Sequence, residues 1–107
     1  MVTPSQADYA VIGAGPSGLA AARNLQRADL PWSGYELNSG VGGLWDIDAP
    51  RSTMYESAHL ISSKTTTEFS EFPMPDHVAD YPSHRDLRTY FNAYADAFDL
   101  RSGYAFN

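Results

Sequence analysis

The chain has 107 residues, enough for one small domain and no more. Seven Lys and Arg against thirteen Asp and Glu give a net charge of −6 and a pI near 4.7, which argues against nucleic acid or an anionic membrane as the main partner. Apolar residues at 43% allow a packed core, and the absence of cysteine excludes a disulfide, a thiolate metal site and a cysteine nucleophile.

Residues 1–8 read as a frayed polar lead-in. No charged segment followed by an apolar one opens the chain and nothing approaches a membrane-spanning length, so a cytoplasmic location is expected. Tyr9 to Ile12 is a short apolar run of strand formers, suited to a buried parallel sheet. It stops at a Gly-x-Gly-x-x-Gly loop, Gly13-Ala14-Gly15-Pro16-Ser17-Gly18, after which the composition turns helical. In such a loop the first glycine makes the tight turn and the second lets a pyrophosphate approach the backbone. The third lets the helix lie against the strand, a contact that Ala22 also permits. Free N–H groups and the dipole at the helix start favour a doubly negative diphosphate. A glycine-rich turn without ligand has the same residues; strand before, helix after and a small side chain at 22 favour the nucleotide.

The first helix is predicted over residues 17–28, with Leu19, Ala22 and Leu25 toward the sheet and Arg23, Asn24 and Arg27 in water. Pro31 forbids its continuation. Trp32 to Leu37 reads as a second strand bearing Glu36 near its end, about twenty residues beyond the glycines, where an acidic side chain accepts hydrogen bonds from an adenosine ribose. A merely exposed Glu is the alternative.

Asn38 to Trp45 is glycine-rich; Gly42 and Gly43 let backbone approach a flat ligand or a second loop, and Trp45 can pack on it or in the core. Asp46 to Thr53 reads as loop, and Leu60-Ile61 is an apolar patch before Ser62-Ser63-Lys64. From Thr65 to Pro82 aromatics alternate with prolines, a pattern that wraps over a surface. The last helix starts at Ser83, with Asp86 completing a capping box and Leu87, Phe91, Tyr94 and Phe98 on one face. It is predicted to end near Gly103, where Tyr104 begins a third strand lying beside the first pair.

Other chemistries fit less well. Gly15-Pro16-Ser17-Gly18 has the setting of a nucleophile elbow, but Leu19 stands where that motif needs glycine. His59, His77 and His84 lack the spacing of a zinc site, so no metal is expected. Lys64 reads either as a phosphate contact or as a solvated surface charge.

Gly13 to Leu19, Glu36, Gly42-Gly43-Leu44-Trp45, Ser62-Ser63-Lys64, Phe69 to Pro75 and Tyr81-Pro82-Ser83-His84 occur in the order seen in flavin-containing monooxygenases. From Asp8 onward the chain resembles the N-terminal part of a bacterial member. The resemblance implies an α/β fold: a Rossmann-like FAD-binding βαβ unit of a doubly wound parallel sheet, incomplete at the C-terminus. It places the FAD pyrophosphate on Gly13, Ala14, Gly15, Pro16, Ser17 and Gly18, and the ribose on Glu36. Gly43, Leu44 and Trp45 lie along the cofactor, and Ser62, with Ile61 beside it, near the flavin ring. The animal enzymes carry asparagine at the position of Ile61, so any polar contact it makes is absent here.

The family reaction reduces FAD with NADPH, forms a C4a-hydroperoxyflavin and passes one oxygen atom to a small-molecule heteroatom or carbonyl. The second dinucleotide motif that would hold NADPH, and the family's Phe-x-Gly…His signature, do not occur in these 107 residues. No catalytic residue is therefore assigned. Two readings stand: the FAD-binding portion of such a monooxygenase, or a binding-only piece, either a nucleotide-binding module or a fragment that needs a second chain to complete its fold. An unpaired sheet edge is expected to be open to a second chain or a second copy.

Overall fold

β1 (Tyr9–Ile12), β2 (Trp32–Glu36) and β3 (Tyr104–Phe106) pair in parallel in chain order, with β2 in the centre. This is a computed structural model describing residues 8–106; the lead-in expected over 1–8 lies, except for Asp8, outside the described residues. α1 (Pro16–Arg27) connects β1 to β2. A long connection carrying α2 (Lys64–Thr67) and α3 (His84–Ala97) leads from β2 to β3.

One face of the sheet carries both long helices. Val11, Gly34 and Tyr104 stand in register across it. Val11 and Tyr104 share one buried cluster with Leu19 and Ala22 of α1 and Leu87, Phe91 and Tyr94 of α3. The opposite face, Ile12, Tyr35 and Ala105 in register, has no layer over it among the described residues, and Ile12 is 80% exposed. The expectation of a strand buried within the sheet is thus corrected: Tyr9–Ile12 is covered on one side only.

Both crossover helices end in the same device. Asp29 and Asp99 take left-handed φ values of 55° and 53°. The following leucine amides then reach back into the last turn, Leu30 to the Leu25 carbonyl at 3.0 Å and Leu100 to that of Ala95 at 2.9 Å. These are Schellman closures with aspartate where glycine is usual. They, rather than Pro31 and Gly103, set the helix ends; α3 stops at Ala97 and Phe98 is its C-cap. At the other end the capping box expected of Ser83 and Asp86 is formed.

Residues 65–82 wrap over α3 as expected, apart from the single helical turn of α2. Phe69 stacks on Tyr94, ring centroids 4.1 Å apart, and Phe72 meets Tyr90, Tyr94 and Phe98. Arg23 is not the solvated residue expected. Its guanidinium lies 3.9 Å from the Phe98 ring centroid and pairs with Glu71 at 2.7 Å, clamping this wrap to α1.

Candidate cofactor site

β1 delivers its last residues to a sharp turn. The Gly13 amide still donates to the Tyr35 carbonyl at 2.8 Å, and its φ of 106° then swings the chain off the sheet. α1 begins three residues later, with Gly15 at the N-cap and Pro16 in the first turn, where its missing N–H costs nothing. The N-cap has no side chain to cap the helix, and the first turn holds no acidic residue. The positive end of a 12-residue helix is thereby left for an external anion. A Cβ on Gly18 would collide with the Gly13 carbonyl oxygen, so the helix can sit this close to the turn only with glycine there.

The second glycine loop docks on the first. The Gly42 amide donates to the Ala14 carbonyl at 2.9 Å, and a Cβ on Gly43 would lie 3.1 Å from the Gly15 Cα. Gly43 is thus the glycine that lets the loops meet, whereas a Cβ on Gly15 would reach the Gly43 Cα only at an ordinary contact distance of 3.6 Å. The two loops enclose an open cleft of about 430 Å³ lined by Ile12, Gly13, Gly15, Pro16, Ser17, Gly18, Gly43, Leu44 and Trp45. Ala14 is fully buried beneath it.

Glu36 is buried, 9% exposed, and both of its oxygens are engaged. Oε1 accepts from the Ala14 amide at 2.7 Å and Oε2 from the Asn38 amide at 2.7 Å. It is not the merely exposed glutamate of the alternative reading. It faces an adjoining hollow of about 510 Å³ that shares Ile12 with the cleft. Each carboxylate oxygen has a second lone pair, so two amide bonds leave capacity for hydroxyl donors.

Ser62 stands apart from this group. It is exposed, lines neither hollow, and its hydroxyl is 2.9 Å from that of Thr67; Ile61 is 96% exposed. Lys64 is neither phosphate contact nor free surface charge: its ammonium donates to the carbonyls of Val78 at 2.6 Å, Asp76 at 3.3 Å and Pro75 at 3.5 Å. The His84 ring donates through Nε2 to the Glu56 carbonyl at 3.1 Å. Among the described residues no group of three or more His, Asp or Glu gathers as a metal site, and no helix is long and apolar enough to cross a membrane.

The sequence profile described as flavin-binding monooxygenase-like matches residues 6–107. The chain belongs to that family. This flavin-binding monooxygenase-like chain is 41% identical over 93 residues to probable flavin-containing monooxygenase 1 of Arabidopsis thaliana, a match covering 85% of this chain and 16% of that protein. Among solved structures it superimposes on OTEMO in an FAD-bound form with a TM-score of 0.81 and 27% identity, over 94% of this chain and 19% of that one. Oxidized steroid monooxygenase bound to NADP gives 0.79 and 28%, over 92% and 19%. The chain spans less than a fifth of the length of each. The family resemblance and the Rossmann-like fold expected from the glycine motifs both hold.

One residue at this cleft has no signal in the sequence. Tyr104, on β3, donates its hydroxyl to the Gly13 carbonyl at 2.7 Å across 91 positions. A tyrosine opening a strand looks like an ordinary core residue; only the fold brings it to the glycine turn.

Proposed function

We propose that this chain holds the adenosine diphosphate half of FAD, within a flavin-dependent, NADPH-using monooxygenase that oxygenates a small-molecule heteroatom or carbonyl. The observation that carries this reading is the uncapped start of α1, cradled by two glycine loops, with the Glu36 carboxylate beside it. The cleft fits the group: it presents backbone amides, glycines where a Cβ would obstruct, and no acidic side chain in the helix's first turn.

In this reading the amides of the Gly13–Gly18 loop bind the diphosphate, with Ala14 fixing the loop from below. Glu36 accepts from the ribose hydroxyls with the lone pairs its two amide bonds leave free. Gly43 lets its loop close on the cofactor, and Leu44 and Trp45 cover its length and keep water from it. Ser62 and Ile61, outside both hollows, are the residues that would stand toward the flavin ring. Bound FAD supplies the redox and oxygen chemistry, and the protein supplies position and dryness. The forms of two similar proteins with FAD and with NADP bound support the pair of cofactors.

Binding without turnover is the second reading for the chain as given. Its 107 residues carry one dinucleotide motif, and among the described residues nothing covers the face bearing Ile12 and Tyr35, which is open to another segment, a second chain or a second copy. A location in the cytoplasm belongs to the same reading and accords with the acidic composition. Titration with FAD, with ADP as competitor, tests the shared core of both readings.

A further inference from the structure

We propose that Tyr104 is a positioning residue for the cofactor diphosphate: from β3 it locks the Gly13–Ala14 peptide plane that the binding loop is built on. This rests on the reading of that loop as the FAD site. The peptide is held at both ends. Its carbonyl accepts from the Tyr104 hydroxyl at 2.7 Å, and its N–H, pointing the other way as in any trans peptide, donates to Glu36 Oε1 at 2.7 Å. A flip of this plane would break both bonds at once. It would also turn the carbonyl oxygen away from Gly18, which it now abuts, and set it against the Glu36 carboxylate, oxygen facing oxygen. The next peptide is held as well: the Ala14 carbonyl accepts from the Gly42 amide, which ties the second glycine loop to the same turn.

The ring is built into place for this task. A Cβ on Gly34 would lie 2.5 Å from the Tyr104 ring, so β2 carries glycine directly beneath it. Trp32 meets the ring edge-on, with centroids 5.6 Å apart. Tyr104 is 8% exposed, and burial beside the Glu36 charge pushes its phenol up to about 12, so the hydroxyl keeps the proton it donates.

Tyr104→Phe removes the hydroxyl and keeps the ring. Two readouts are taken on wild type and variant: FAD affinity by quenching of flavin fluorescence, and amide hydrogen exchange by NMR. The expected result is FAD binding weaker by about three- to ten-fold. Ala14 and Gly42 amides should exchange faster while those of Val11 and Tyr35 keep their wild-type rates. Unchanged affinity and unchanged Ala14 exchange overturn the proposal, and so does uniform acceleration across the sheet, which would mark a merely structural role. A third readout needs no variant: the Tyr104 hydroxyl proton of the wild type should be visible as a slowly exchanging resonance, and its absence overturns the bond itself. Wild-type protein that is folded yet takes up no FAD would overturn the functional reading instead, with the exchange data still deciding the loop.

Discussion

The Glu36 carboxylate and the Ala14 amide, 2.7 Å apart, join the end of the second strand to the loop leaving the first. This bond gives Glu36 two tasks. It holds the glycine turn in shape, and it offers the remaining lone pairs to a ligand. Glu36→Ala should therefore lower the melting temperature of the ligand-free protein, because one buried and one half-buried amide lose their acceptor. It should also weaken FAD by about 1.5–3 kcal/mol, the range for charge-assisted bonds. Melts and titrations on the same preparation check both; unchanged FAD affinity would remove Glu36 from the site.

Aspartate at the ends of the two crossover helices is a departure with a measurable cost. Asp29 and Asp99 hold φ values that a side chain resists and glycine adopts freely. Asp99→Gly should stabilise the fold by up to about 1 kcal/mol, since the Schellman bonds stay and the steric penalty goes. Thermal unfolding at fixed pH measures it; a lower melting temperature would show that the Asp99 side chain contributes more than its backbone strain costs, through its contact with Ser102.

Much of this was legible in the chain because it is local. Gly13, Gly15 and Gly18 between an apolar run and a helical one specify strand, turn and helix, and Ser83 with Asp86 specifies a helix start. Glu36 announced itself by its spacing from the glycines. What stayed hidden crosses the fold. Tyr104 reaches Gly13 from 91 positions away, and Arg23 finds Glu71 from 48. Neither pair has a period or a motif; each exists only once β3 and the wrap over α3 are in place. Lys64 escaped for the same reason, since its three acceptors are main-chain carbonyls that any residue type could supply.

Two buried phenols set the alkaline limit. Tyr90 and Tyr104 are pushed from the ordinary 10.0 up to about 12 in the fold, mainly by burial. The folded protein thus holds these protons more tightly than the unfolded chain does. Their contribution is complete below pH 10 and is lost as pH rises toward about 12. The expected loss is about 1–2 kcal/mol for each tyrosine. Melting temperatures across that window should fall steeply for the wild type and less steeply for Tyr90→Phe; equal slopes would contradict the assignment.

The most direct test is equilibrium titration of the wild-type chain with FAD, followed by flavin fluorescence and repeated in the presence of ADP, with circular dichroism to establish that the protein is folded. The cradle formed by the two glycine loops and Glu36 predicts saturable binding of one FAD per chain, displaced by ADP because the contacts lie on the shared adenosine diphosphate. A folded chain that takes up no FAD, or one whose FAD is indifferent to ADP, would contradict it.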